Sequence, residues 1–274
     1  MNALETKSLT LAYGDQVVIE NLDHHFPKGK ISVLIGSNGS GKSTLLRSLA
    51  RLLKPREGSV ILDGKAITTM STKAVARKMA ILPQSPECPE GLTVLQLVKQ
   101  GRYPYQNWMR QWSEEDERAV KKALKTTNLE GFEERTVDSL SGGQRQRVWI
   151  AMVLAQETDT ILLDEPTTYL DLSHQLDILD LLYELNRNEG RTIIMVLHDL
   201  NLSARYADNM VVVHERTVFA HGKPDSIITP ELVKKVFGIE CLVMKDPVYG
   251  KPLCIPCGKG RRVENENLRA VDTQ

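Results

Sequence analysis

Short, nearly uninterrupted apolar runs recur along the chain at 31–35, 79–82, 160–163, 192–197 and 210–213. Each has the length of a strand, and a strand apolar at every position is buried on both faces, as in a parallel sheet. Between the runs the period changes. Leu45, Leu46, Leu49, Leu52 and Leu53 fall at helical spacing until Lys54-Pro55-Arg56-Glu57-Gly58 stops them. Further helices are expected over 72–77, from 93 through 98, over 113–125, over 141–154, over 172–189, near 200–207 and from 230 to 238. Several of these open on a capping residue: Ser113 with Asp116, Ser141 with Gln144, and Asp171. Ahead of the first apolar run, 4–26 alternates in short β-like pieces around a turn at Tyr13-Gly14-Asp15, and 59–62 reads as a strand leading into an Asp63-Gly64 hairpin turn. A turn is expected at His221-Gly222-Lys223-Pro224, and from Ile239 the pattern is strand-like before fading past Arg261-Arg262 into a polar tail. Strands alternating with helices point to an α/β fold with a parallel core.

The first apolar run delivers Gly36-Ser37-Asn38-Gly39-Ser40-Gly41-Lys42-Ser43-Thr44 to the start of the leucine-rich helix. Gly-x-x-x-x-Gly-Lys-Ser after a strand and before a helix is a P-loop, whose glycines let successive backbone N–H groups turn inward on phosphate oxygens. The helix start adds unpaired N–H groups and the positive end of its dipole. Lys42 is expected at the β and γ phosphates, and Ser43 at the magnesium ion that bridges them. A plain glycine-rich turn would need neither residue at those offsets.

The run at 160–163 ends in Asp164 and Glu165, and the run at 192–197 ends in His198 and Asp199. Ligands of parallel sheets sit at the carboxyl ends of the strands, so these side chains should converge on the P-loop. Asp164 is placed to help hold magnesium, and Glu165 to orient and polarise a water against the γ phosphate. His198 is a candidate for a γ-phosphate contact. Leu140-Ser141-Gly142-Gly143-Gln144 forms a second helix start. Capping explains Ser141 and Gln144, but it does not explain two glycines in a first helical turn, each costing up to ~1 kcal/mol against alanine. Bare backbone at a helix start suits the close approach of an anion. Tyr13, ahead of the P-loop, is either a base-stacking ring or ordinary hairpin packing.

Lysine plus arginine and aspartate plus glutamate both total 35, so no net field draws the chain to nucleic acid or to an anionic membrane. No apolar run approaches the ~18 residues that span a bilayer, and the first seven residues do not form a signal peptide, so a cytoplasmic location is expected. Four cysteines, at 88, 241, 254 and 257, are too few and too uneven for a disulfide framework. Cys254-Ile255-Pro256-Cys257 lacks the two further ligands a metal would need and reads as structural. Aromatic and basic residues concentrate at Arg102, Tyr103, Tyr105, Trp108, Arg110 and Trp112, forming either a satellite core or an exposed patch for a partner protein.

Taken in order over about 4–232, these motifs resemble the nucleotide-binding subunit of ATP-binding cassette transporters, with Leu-Ser-Gly-Gly-Gln the most specific part. The resemblance implies a P-loop NTPase fold with a RecA-like parallel core, a small antiparallel β subdomain and an inserted helical subdomain. Its expected extents are a nucleotide-binding domain over 1–238, the helical part over about 88–155, and a C-terminal extension over 239–274. It implies ATP and Mg2+ as ligands, adenine stacking by Tyr13, and phosphate binding by the loop from Gly36 to Thr44. Gln84 corresponds to the glutamine that senses magnesium and the membrane partner. Ser141, Gly142, Gly143 and Gln144 form the signature, Asp171 lies at the dimer seam, and His198 is the switch histidine. In the family two copies pair head to tail, so the Lys42 loop of one and the Ser141 helix of the other clamp one ATP. That would explain two anion-binding helix starts in one chain. The expected partners are a second copy, membrane permease subunits and an extracytoplasmic solute-binding protein, with no nucleic acid, at the cytoplasmic face of the cell membrane.

Thr168-Tyr169-Leu170-Asp171 departs from the Ser-Ala-Leu-Asp of many relatives. With Gly101-Arg102-Tyr103-Pro104-Tyr105 and Ser173-His174-Gln175, it looks like the importer subgroup for ferric siderophores, haem and cobalamin, and closest to the ferric-siderophore ATPases. Haem or cobalamin import, an exporter ATPase, and a cassette ATPase of DNA repair or translation are the alternatives. Repair members carry a long coiled coil and translation factors two cassettes, and the chain has neither.

Overall fold

The computed structural model describes residues 2–106 and 112–258. Strands β1 (Asn2–Tyr13) and β2 (Gln16–Pro27) form the expected hairpin, with Gly14 left-handed in its two-residue turn. β3 (Ile31–Ile35), fully buried, leads through the P-loop into α1 (Lys42–Leu49). β4 (Glu57–Leu62) pairs antiparallel with β1, and β5 (Lys65–Ala66) follows across the Asp63-Gly64 turn. These four strands make a small antiparallel sheet in the order β2-β1-β4-β5.

After α2 (Thr72–Ala76) and β6 (Met79–Leu82) come three helices, α3 (Val94–Gln100), α4 (Glu114–Thr126) and α5 (Gly142–Ala155). The chain then alternates through β7 (Thr160–Asp164), α6 (Leu172–Glu189), β8 (Thr192–Val196), α7 (Leu200–Tyr206), β9 (Asn209–His214) and β10 (Thr217–Gly222). It finishes with α8 (Pro224–Ile227), α9 (Pro230–Phe237), β11 (Cys241–Lys245) and β12 (Pro252–Pro256). The central sheet runs β10-β9-β3-β8-β7-β6, parallel except for the edge strand β10. This is the parallel-core fold with an antiparallel sheet and a helical segment that the sequence led us to expect.

The alternating faces of the central strands feed two cores. Leu34, Leu162, Ile194 and Val196 pack with Leu45, Leu46 and Leu49 of α1 and with the antiparallel sheet. Val33, Ile35, Ile161, Leu163 and Met195 pack with α5, α6 and the neighbouring helices. α1 is therefore gripped between two sheets, which fixes the P-loop at its N-terminus.

The structure corrects several expectations. The leucine-rich helix stops at Leu49, Arg51 is left-handed, and Leu52 is exposed, while Glu57 and Gly58 belong to β4 rather than to a helix stop. His221 and Gly222 lie in β10, a strand missed because its turn is built from Glu215 and Arg216, left-handed without glycine. Of the two readings open for its cluster, Arg102 takes the buried one. Its guanidinium is buried under Tyr105 and bonds Asp116 at 2.8 Å and Glu157 at 2.9 Å, pinning α4 to the end of α5. Tyr103 is exposed, Trp112 is partly exposed, and Trp108 and Arg110 lie outside the described residues. Cys241 and Cys254 are buried in the larger core, where the β11–β12 hairpin packs on α7. The Asn201 side chain secures that contact, donating to the Cys254 carbonyl at 3.1 Å and accepting its N–H at 2.8 Å.

Candidate active site

The parallel register brings Leu34, Val196 and Asp164 into one row, so β3, β8 and β7 end level with one another, and β6 ends beside β7. The residues just past each strand therefore share one sheet edge. A cavity of about 540 Å³ opens there, lined by Tyr13, Asn38, Gly39, Gly41, Lys42, Ser43, Thr44, Gln84, Glu165 and His198. Tyr13 sits at its rim, about half exposed. Gln16 and Val18, to which no motif in the sequence points, line it beside that ring.

Within the P-loop, Gly36 is required by its surroundings. Its φ is +149°, and a Cβ there would stand 2.2 Å from the Val213 carbonyl oxygen of β9. The loop closes with Ser40 N–H donating to the Ser37 carbonyl at 3.2 Å. Lys42 Nζ donates to the carbonyls of Gly36 and Ser37 at 3.0 and 2.9 Å, so its ammonium lies along the inside of the loop. Burial pushes that ammonium below the ordinary lysine range, against the pull of Glu165 and Asp164.

Ser43 Oγ donates to Asp164 Oδ1 at 2.8 Å. Burial raises the Asp164 carboxyl, an effect only partly offset by Ser43, Arg47 and Lys42. Two hard oxygen donors in contact, one on a carboxylate that lacks a full counter-charge, suit Mg2+, which takes few protein ligands and fills the rest with phosphate and water. Among the described residues no group of three or more His, Cys, Asp or Glu is arranged as a protein-only metal cage.

Glu165 comes directly after β7 with a left-handed φ of +52°. Its carboxylate lies 2.7 Å from His198 Nε2 and accepts from Gln84 Nε2 at 2.8 Å and from Thr168 Oγ1 at 3.0 Å. Burial pushes this carboxyl up, but the donors outweigh burial and hold it below the usual carboxylate range. Thr168 was missed in the sequence. Its signal was the Glu-x-x-Thr spacing, which a tight turn from the Glu165 carbonyl to the Thr168 N–H folds back on the carboxylate.

Ser141, Gly142, Gly143 and Gln144 are not in this cavity. Among the described residues no hydrogen bond joins them to the loop at 36–44, and Gly142 alone of the four lines a second hollow of about 570 Å³ that also borders Gln84, Glu165 and Tyr169. Ser141 and Gln144 form the capping box, with Gln144 N–H donating to Ser141 Oγ at 3.3 Å and Ser141 N–H donating to Gln144 Oε1 at 3.2 Å. The two glycines differ. A Cβ at Gly142 would meet nothing within 4 Å, whereas one at Gly143 would strike the His174 ring. Asp171 is exposed at the N-cap of α6, accepting from His174 N–H at 2.9 Å and Ser173 Oγ at 2.8 Å, and these bonds lower its carboxyl. One chain thus gathers Lys42, Ser43, Gln84, Asp164, Glu165 and His198 at one sheet edge, and carries a separate helix start at Ser141.

Known proteins are similar to this chain in sequence and in fold. The petrobactin import ATP-binding protein FpuD of Bacillus anthracis is 62% identical over 98% of this chain and 98% of its own. The achromobactin transport ATP-binding protein CbrD of Dickeya dadantii is 62% identical over 98% of this chain and all of its own. A metal-chelate type ABC transporter solved in an inward-facing conformation superposes with a TM-score of 0.81 at 28% identity, covering 94% of this chain and 99% of its own. A cassette bound to ADP and Pi superposes with a TM-score of 0.71 at 29% identity, covering 80% and 98%. Residues 19–168 match the ABC transporter family, and with these relatives the match makes the chain a member of that family and its P-loop site that of an ATPase.

Proposed function

We propose that the chain is the ATP-hydrolysing subunit of an importer for ferric siderophores, acting as a homodimer beneath a separate permease supplied by a solute-binding protein. Full-length identity of 62% to a petrobactin import subunit and to an achromobactin transport subunit carries this reading over haem or cobalamin import. The nucleotide-binding domain spans 1–238 with its helical part near 88–155, and 239–274 is assigned as an extension of it, of which 259–274 lie outside the described residues. Among the described residues no helix is long and apolar enough to cross a membrane. Attachment to the cytoplasmic face of the cell membrane therefore runs through the permease.

In this reading ATP lies in the P-loop cavity with its base on Tyr13. Lys42 leaves the Gly36 and Ser37 carbonyls for the β and γ phosphates, and the N–H groups from Ser37 to Thr44 enclose them. Ser43 and Asp164, with Gln84, would hold Mg2+, which would offset the phosphate charge. Glu165, ionised at neutral pH, accepts a proton from the attacking water, and His198 holds that carboxylate in place. The signature from Ser141 to Gln144 of one copy caps the ATP of the other beside Asp171, so neither copy completes a site alone and closure depends on nucleotide.

The test is a pull-down of Glu165→Gln protein with ATP from its native membranes. We expect a trapped dimer with a polytopic permease of the siderophore type. Recovery of ribosomes or DNA-bound proteins would overturn the transport reading and leave the ATPase chemistry standing.

A further inference from the structure

We propose that His174 is a positioning residue that locks the signature turn to the start of α6 in the same chain, and that Gly143 is glycine because this imidazole fills the place of its side chain. The proposal rests on the dimeric ATPase reading, in which the signature of one copy caps the nucleotide of the other. Close approach of a nucleotide is one reason for two glycines, but the structure separates them. A Cβ on Gly142 opens onto free space. A Cβ on Gly143 would stand 2.4 Å from Cδ2, 2.8 Å from Cγ and 2.9 Å from Nε2 of His174, distances at which something must move.

The His174 side chain is about two-fifths exposed, with its backbone and one edge of the ring held. The His174 N–H is held by Asp171 Oδ1, which fixes the residue in the first turn of α6. Its Nδ1 is buried without a hydrogen bond and lies 3.7 Å from Asp177 Oδ2, the oxygen that accepts from Arg147 of α5 at 2.5 Å. One helical turn ahead of Arg147 the ring meets Gly143, and between them Gln146 Nε2 donates to the Pro166 carbonyl at 2.8 Å. The first two turns of α5 are therefore fastened to the 165–171 loop and α6 by a ring packed on bare backbone, an ion pair and a hydrogen bond. Asp171 and the signature then present themselves to the partner copy as one rigid edge. His174 touches no nucleotide in this arrangement and acts by setting where Ser141 and Gly142 stand.

The experiment compares wild type, Gly143→Ala, His174→Ala and the double variant for kcat and KM of ATP hydrolysis. Alanine is the better helix former, so Gly143→Ala carries no intrinsic helix penalty and its harm comes from the collision. We expect Gly143→Ala to lower kcat by about tenfold or more with KM nearly unchanged, because the P-loop is untouched. The double variant should recover to within about threefold of His174→Ala. If Gly143→Ala is too unstable to assay, the double variant still decides, since relieving the collision restores folding and turnover together. A double variant as impaired as Gly143→Ala, or a Gly143→Ala as active as wild type, overturns the proposal. A Glu165→Gln dimer trapped by ATP alongside either result confines the failure to His174, whereas no trapped dimer removes the dimeric reading on which it rests.

Discussion

His198 Nε2 and Glu165 Oε1 lie 2.7 Å apart at the ends of adjacent parallel strands. The second carboxylate oxygen is taken by Gln84 and Thr168. A carboxylate held from both sides keeps one orientation, and its charge is maintained against burial by the donors that hold it.

Removing one donor should show in the pH profile. Burial raises the Glu165 carboxyl and His198 leads the forces that lower it, so in His198→Ala the carboxyl rises. We expect kcat to fall and its acidic limb to move to higher pH, whereas Glu165→Gln loses about 10²-fold or more with no limb left to move. A pH–rate profile of His198→Ala that overlays wild type would contradict this.

Asp164→Asn keeps the shape of the Ser43 partner but removes its charge. The magnesium concentration for half-maximal hydrolysis should rise about tenfold or more, with binding of metal-free nucleotide little changed. A magnesium titration of ATPase activity checks it, and an unchanged midpoint would remove Asp164 from the metal site.

His24 is buried edge-on against Phe26 and His221, and its Nε2 has no hydrogen-bond partner. Burial, with His221 and His25 adding to it, lowers its pKa from 6.5 to about 4. The unfolded chain then binds a proton that the folded chain refuses. His24 is therefore without effect on stability above pH 6.5 and costs up to about 3 kcal/mol as pH falls towards 4. Urea midpoints measured across that window should fall for wild type and lose that part of the slope in His24→Leu.

Arg102→Ala should destabilise the helical segment by about 3–5 kcal/mol, because it strands the buried Asp116 carboxylate. Burial raises that carboxyl, and Arg102 and Ser113 bring it below its ordinary range. The pair's contribution is thus present above the unfolded value and lost as pH falls through the folded one. Denaturant unfolding of the variant checks the magnitude, and a shift below about 1 kcal/mol would contradict it.

The parts of the site that were readable are those set by strand ends. An apolar run fixes a buried parallel strand, and the next residues must emerge at the carboxyl edge, so Asp164, Glu165 and His198 could be gathered from spacing, Lys42 from the P-loop motif, and Gln84 from the family resemblance alone. Thr168 escaped because its place depends on a left-handed turn at Glu165, a conformation no residue type announces. β10 escaped for the same reason at Glu215 and Arg216. The Arg102 cluster stayed open between core and surface because its counter-charges, Asp116 and Glu157, lie 14 and 55 residues away and meet it only once α4 and α5 are packed. The pairing of Gly143 with His174 is likewise a contact between helices, absent from any local pattern.

The Asn201 amide that grasps the Cys254 backbone has a consequence for biosynthesis. α7 begins just after His198, yet the strand that completes its packing is joined to Asn201 across a separation of 53 residues. A ribosome-bound nascent chain that has already released the P-loop, Glu165 and His198 still lacks the cover for this helix. Translation stalled short of Cys254 leaves the Asn201 amide without either of its backbone partners and α7 without the strand that packs on it.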